Sequence, residues 1–175
     1  MSEVPNRESS NRWIRQSRFK PRPKYSTGMA QASSPGARRE PGFTYNRRVH
    51  FSETDMAGIV HFSTYFRYME EAEHALWRAA GLRVENIEKT GGWPRVSATF
   101  DYKSPLRFDD EFEIAVRIGP VTRRSFRYDF TFARGDVLIG SGSITAVCAT
   151  KESGRLRAVD VPGEMIARLR AAAGQ

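Results

Sequence analysis

The stretch Phe51–Leu82, FSETDMAGIVHFSTYFRYMEEAEHALWRAAGL, sets a carboxylate in a short loop directly ahead of a long helical pattern. Asp55 stands three positions before Gly58, a residue that lets the chain turn back on itself. From about Ser63 to Ala80 the pattern is helical: Phe62, Phe66, Met69, Glu73, Leu76 and Ala80 recur at steps of three and four, and Tyr65 joins their stripe. Ser63 or Thr64 is placed to cap the first turn, and Gly81 to end the helix in a left-handed conformation. Asp is common in turns, where it bonds its own backbone, so these residues alone leave Asp55 open between turn chemistry and an active site.

Upstream, FTYNRRVHF puts Phe43, Tyr45, Val49 and Phe51 at alternate positions, which predicts a first strand. After the helix, RVENIEKTGG permits one or two more helical turns, stopped by Gly91 and Gly92. The rest reads as strands. WPRVSATFDYKSP is one, ending at Pro105. DEFEIAVRIGP places Phe112, Ile114, Val116 and Ile118 on one face and Glu113 and Arg117 on the other. RSFRYDFTF sets Phe126, Tyr128, Phe130 and Phe132 against Arg127, Asp129 and Thr131. Arg134-Gly135-Asp136 is a hairpin turn. VLIGSGSITAVCAT reads as one long strand with Gly140 and Gly142 on a shared face, so a backbone or a helix is expected to approach closely there. Glu152-Ser153-Gly154 turns the chain again, RLRAV is a short strand, and PGEMIARLRAAA is a terminal amphipathic helix with Pro162 near its start. The order of strand, long helix and then strands joined by short turns predicts an α+β architecture, one antiparallel sheet burying one long apolar helix. There is no internal repeat, GxGxxG or P-loop, and GSGS lies within a strand, where it cannot serve as a phosphate loop.

The 175 residues suit one domain and a tail, and 39% hydrophobic content is enough for a core. The lone Cys148 excludes an internal disulfide and a multi-cysteine metal site, and fits a reducing, cytoplasmic compartment. No apolar run reaches the roughly 18 residues of a membrane span, and the N-terminus lacks the apolar core of a secretory signal. The net charge of +8 is unevenly placed: residues 1–40 carry nine Lys/Arg and three Glu, a net of +6, and the remainder is near neutral. A basic binding face on the folded part is therefore not expected, and nucleic acid is an improbable partner for it. Residues 1–42, rich in Arg, Ser, Pro, Asn and Gly, are read as a disordered basic tail, with 43–175 as the folded domain. A weak helix around Asn11–Phe19 is compatible with this. The tail is open to three readings: a solvated arm, an arm for an anionic partner, or an extension upstream of a start at Met29. Glu3 and Glu8 argue against an organelle transit peptide.

The run FSETDMAGIVHFSTYFRYMEEA resembles the N-terminal signature of hotdog-fold acyl-CoA thioesterases, at Thr54-Asp55, Ala57-Gly58-Ile59-Val60, Tyr65-Phe66 and Glu70-Glu71-Ala72. The 4-hydroxybenzoyl-CoA thioesterase family, including its members associated with the Tol-Pal system, is the most similar group. DYKSPLRFDDEFEI resembles the family's second shared block, and the likeness spans roughly Tyr45 to Thr150. The resemblance implies a hotdog fold, in which a curved antiparallel sheet wraps a long central helix. It implies a homodimer or homotetramer with active sites between subunits, an acyl-CoA substrate, and no metal or redox cofactor. It also implies that Asp55 is the catalytic carboxylate and that the backbone N–H of Phe62, seven residues on, holds the thioester oxygen. Gly58, Ile59, Val60 and Tyr65, in the same block, are the implied substrate-binding positions. Some family members carry a histidine one place later than His61, so His61 is either a catalytic or orienting residue or a partly exposed loop residue.

The chemistry agrees with that placement. Thioester hydrolysis needs a nucleophile or base and a holder for the developing oxyanion, and a helix N-terminus offers unpaired N–H groups and partial positive charge. The Phe62 side chain reads as core. Glu70 and Glu71 read as an exposed pair or an interface bond rather than as a catalytic helix glutamate, and His74 and Cys148 as structural. Arg95, Lys103, Arg123, Arg124, Arg127, Arg134 and Lys151 are available for CoA phosphates, although a solvated strand surface would look the same. Other readings are a hotdog protein that binds acyl-CoA or acyl-carrier protein without turnover, a hotdog dehydratase, and a nucleic-acid or anionic-partner module using the basic tail.

Overall fold

A computed structural model describes residues 42–83 and 92–175. The tail reading, and most of the further helical turns expected over 83–92, lie outside these residues. Among the described residues no helix is long and apolar enough to cross a membrane.

Strand β1 (Phe43–Arg48) leads through a one-turn 3-10 helix (Phe51–Glu53) to helix α1 (Thr64–Ala79). Then follow β2 (Arg95–Tyr102), β3 (Glu111–Val121), β4 (Ser125–Arg134), β5 (Val137–Val147), the hairpin strands β6 (Ala149–Glu152) and β7 (Arg155–Ala158), and helix α2 (Gly163–Ala172). Five strands form one antiparallel sheet in the order β1-β3-β4-β5-β2, and β6-β7 form a separate two-stranded hairpin. The architecture is α+β, with the sheet laid against α1 as a hotdog fold requires.

The alternation along β3 and β4 builds the inner face: Phe112, Ile114, Val116 and Ile118, with Phe126, Tyr128, Phe130 and Phe132, are all buried. Gly140 and Gly142 of β5 sit in register between large rings, Gly142 between Phe130 and Phe100, and Gly140 between Phe132 and Tyr102. A Cβ at Gly142 would lie 2.6 Å from the Met69 sulfur of α1 and 2.8 Å from Phe100, so the close approach expected there is that of the helix and a neighbouring ring. Tyr65 of α1 packs on Phe100 at 4.7 Å and Tyr68 on Phe112 at 5.1 Å between ring centroids.

Helix α1 buries Tyr65, Tyr68, Met69, Ala72, Glu73, Leu76 and Trp77, a wider face than one stripe because sheet and α2 flank it. Trp77 Nε1 donates to Tyr128 Oη at 2.7 Å. Glu73, 1% exposed, forms an ion pair with Arg95 of β2, and burial raises its carboxyl pKa against the opposing pull of that guanidinium. Gly81, at φ +66°, ends the helix, with the Leu82 N–H returning to Trp77 O and the Gly81 N–H to Arg78 O. Arg168 of α2 donates to Ala80 O at 2.9 and 3.1 Å, which satisfies an orphan carbonyl and fastens α2 to the end of α1.

Several local expectations are corrected. The first strand ends at Arg48, and Phe51 lies in the 3-10 turn with 76% of its surface exposed, because the Glu53 side chain accepts the His50 N–H and closes that turn. Ser63 makes no capping bond; the His61 carbonyl accepts the Thr64 N–H and the His61 ring faces the Ser63 N–H instead. The long strand breaks at Cys148, whose N–H leaves the sheet for Arg124 O, so β6 ladders with β7, Ala149 also bridging Gly92, and the sheet count is two rather than one. The turns at Gly135 (φ +59°) and at Ser153 and Gly154 (φ +49° and +81°) stand where the sequence placed them.

Candidate active site

The loop between β1 and α1 is a miniature hairpin. Thr54 and Val60 form an antiparallel bridge, the Asp55 N–H donates to Ile59 O at 2.9 Å, and the Gly58 N–H donates to Asp55 O at 2.9 Å. Gly58 takes φ +71°, the left-handed conformation that this return requires. The loop rests on the segment after β2, where the Val60 N–H donates to Leu106 O at 2.8 Å and Arg107 reaches Gly58 O at 3.4 Å.

Asp55 is half-buried, and its Oδ1 accepts the Ala57 N–H at 2.8 Å. The turn chemistry is therefore real. It occupies one carboxylate oxygen, and nothing among the described residues bonds the other.

The start of α1 is arranged residue by residue. The His61 N–H donates to Glu53 O at 2.9 Å, and the Thr64 N–H donates to His61 O at 2.9 Å. His61 is exposed, with Nδ1 2.9 Å from Ser63 Oγ and 3.4 Å from the Ser63 N–H. A backbone N–H can only donate, so Nδ1 is the acceptor in that contact. Between these satisfied neighbours the Phe62 N–H has no acceptor among the described residues. The Phe62 carbonyl accepts from Tyr102 Oη at 2.9 Å. The Phe62 side chain is 64% exposed, not core as expected, because its peptide is held at the loop edge from outside by Tyr102. Val60 and Tyr65 are buried within their own chain, whereas Ile59 is half-exposed.

A cluster beneath the loop was not singled out from the sequence. Arg47 of β1 grips Glu53 through two nitrogens, at 2.6 and 2.9 Å, and Glu71 of α1 through Nε, at 2.6 Å. Glu71 is thus bonded within the chain, while Glu70 is exposed. Glu53 also accepts from Tyr68 Oη at 2.8 Å and from the His50 N–H at 2.7 Å. The Arg47 guanidinium lies 4.3 Å from the Tyr68 ring centroid. Burial pushes the Glu53 carboxyl up, but the hydrogen bonds from Arg47, His50 and Tyr68 together outweigh it, and the net shift is below the ordinary 4.5. A depressed carboxyl stabilises the fold above its unfolded-state value, and that contribution is lost as pH falls through the folded-state value. Glu53→Gln is accordingly expected to be less stable than wild type at pH 7, with the gap closing as pH falls below the ordinary 4.5 and through the lower folded-state value. Thermal melts of both proteins across that range measure this directly.

Of the seven basic residues considered for CoA phosphates, five are engaged with carboxylates. Arg95 pairs with Glu73, Arg134 with Asp110, Arg127 with Asp129, and both Arg123 and Arg124 reach Asp160. Lys103 and Lys151 make no ion pair among the described residues. Cys148 is buried, which pushes its thiol up and suits a structural residue.

A sheet wrapped on one helix, with a carboxylate loop against the helix start, defines a hotdog thioesterase-like protein. Comparison with known proteins supports the same class. The family model of the Thioesterase-like superfamily matches residues 49–169. A putative esterase of Aquifex aeolicus (strain VF5) is 34% identical over 71% of this chain and 94% of its own. The 4-hydroxybenzoyl-CoA thioesterase of Pseudomonas sp. (strain CBS-3) is 30% identical over 70% of this chain and 94% of its own. The solved structure of a gentisyl-coenzyme A thioesterase superposes with a TM-score of 0.65 at 32% identity, covering 71% of this chain and 99% of that one. The chain belongs to the Thioesterase-like superfamily, and it is a thioester hydrolase.

Proposed function

We propose that the protein hydrolyses a hydroxyaryl-CoA thioester to the free acid and CoA, with Asp55 as the reacting carboxylate and the Phe62 N–H as oxyanion donor. The observation that carries this reading is the Phe62 N–H, left without an acceptor among the described residues at the start of α1 while the N–H groups beside it are satisfied. A donor in that position stabilises a developing oxyanion by on the order of 3 kcal/mol. Asp55 either attacks the carbonyl carbon, expelling the CoA thiolate and leaving an anhydride for water to open, or removes a proton from an attacking water. Both routes consume one water and release acid and thiol. Nδ1 of His61 is committed to Ser63, so its part is to orient the helix start. The acyl class is taken from relatives named for 4-hydroxybenzoyl-CoA and gentisyl-coenzyme A.

The site is completed by a second copy. Edge strand β2 is exposed at every position except Phe100, its Tyr102 holds the Phe62 carbonyl, and its outer edge, unpaired with any described strand, suits a β2 from another subunit. A homodimer through β2, alone or within a homotetramer, and a cytoplasmic location complete the reading. Residues 1–42 stand apart from the chemistry, in keeping with a family match that begins at residue 49.

An activity screen over short aliphatic, long aliphatic and hydroxyaryl CoA thioesters tests the function. The highest kcat/KM is expected on a hydroxyaryl substrate, and a preference of tenfold or more for an aliphatic chain would refute that acyl class. Deleting residues 1–42 is expected to leave kcat/KM within about twofold and to abolish any salt-dependent nucleic-acid binding, read by fluorescence anisotropy.

A further inference from the structure

The residues that fasten the site loop converge on one side chain that the reaction itself does not require. Glu53 stands two positions before Asp55. Its carboxylate takes four donors: two nitrogens of Arg47, the Tyr68 hydroxyl and the His50 N–H. Those donors come from β1, from α1 and from the turn itself, so the Glu53 side chain is tied to both elements that frame the loop. Its side chain is only 14% exposed, and Arg47 is in turn held to α1 by Glu71. The Glu53 backbone carbonyl does a second job. It accepts the His61 N–H at 2.9 Å, so residues 53 and 61 are joined across the loop. The next N–H along the chain is that of Phe62. One residue therefore anchors both the strand entering the loop, which carries Asp55, and the strand leaving it, which carries the oxyanion donor.

We infer that Glu53 is a positioning residue, clamped by Arg47 and Tyr68, which sets the spacing between the Asp55 carboxylate and the Phe62 N–H. The inference rests on the proposed roles of those two residues. Reaction rate is sensitive to such spacing, since a displacement of about 1 Å at reacting groups can cost on the order of a hundredfold. Glutamine at position 53 keeps the length of the side chain but turns an amide NH2 toward a set of donors. The carboxylate grip is then lost and the turn is free to shift.

Glu53→Gln, Asp55→Asn and wild type are compared by steady-state kinetics on a good acyl-CoA substrate and by amide hydrogen exchange well below the melting temperature. For Glu53→Gln, kcat is expected to fall roughly ten- to a hundredfold with KM within about threefold. The His61 amide is expected to gain at least about tenfold more in exchange rate than those of Leu76 in α1 and Ile114 in β3, which lose only the protection that the lower global stability removes. A kcat within twofold of wild type, or a loss of kcat without faster His61 exchange, overturns the inference. An equal loss of protection at Leu76, Ile114 and His61 also overturns it, because the effect would then be general destabilisation alone. Full activity in Asp55→Asn would refute the catalytic reading instead. The exchange measurement then decides the clamp by itself, and unchanged His61 exchange in Glu53→Gln overturns it.

Discussion

Asp55→Asn is expected to lower kcat for acyl-CoA hydrolysis by about 10²–10⁴-fold, the usual contribution of a positioned proton-transfer group. That corresponds to roughly 3–5 kcal/mol of transition-state stabilisation. The substitution separates the turn bond that Asp55 makes from the catalytic role proposed for it. Asparagine keeps a carbonyl oxygen that can accept the Ala57 N–H, the bond made at 2.8 Å by Oδ1, so the turn survives. It removes the charge and basicity of the other oxygen, which nothing among the described residues occupies. The expected pattern is therefore an unchanged melting temperature, a nearly unchanged KM and a collapsed kcat. Full activity in the variant would return Asp55 to turn chemistry and leave the Phe62 N–H without a reaction to serve.

The largest stability effect is expected at Gly142. Its missing Cβ is replaced in space by three groups, the Met69 sulfur at 2.6 Å, Phe100 Cδ2 at 2.8 Å and Thr99 O at 2.8 Å. Met69 is adaptable, but the Thr99 carbonyl belongs to the β2–β5 ladder and cannot retreat without breaking it. Valine adds three carbons there and must either push α1 off the sheet or unzip β2. Gly142→Val is expected to cost about 3 kcal/mol or more, at the upper end of overpacking effects. In a domain of this size that is a fall in melting temperature of about 10 °C, measurable by circular dichroism. Gly135 provides the contrast. A Cβ there meets nothing within 4 Å, so alanine would suffer only from the left-handed φ of +59°. Its expected cost is about 1 kcal/mol, arising from backbone conformation rather than space.

These effects also mark what was legible in the sequence. Strands β3 and β4 were readable because their faces alternate strictly, Phe112 through Ile118 and Phe126 through Phe132, and one buried face imposes a period of two. Helix α1 was readable from its spacing, and its end from Gly81, since left-handed backbone favours glycine. The proximity implied by Gly140 and Gly142 was readable as well, although not which group would approach. The site loop was legible through its resemblance to a thioesterase signature, and Gly58 because a return of the chain needs it.

The support of that loop was not legible. Arg47, Glu53, Tyr68 and Glu71 look like ordinary polar positions of a strand, a turn and a helix, and Tyr102 lies forty residues from the carbonyl that it holds. Glu73 reads as a break in an apolar stripe until Arg95 meets it from another strand. By itself the sequence determined most of the elements, the buried faces of β3 and β4 and the candidate site loop, because periodicity, turn chemistry and a local motif act between near neighbours. Only the tertiary structure decided which N–H is left unpaired among the described residues, which side chains hold the turn before Asp55 and which strand lies at the sheet edge. Those outcomes depend on donors and acceptors meeting across elements distant in the chain, and no local pattern encodes such meetings.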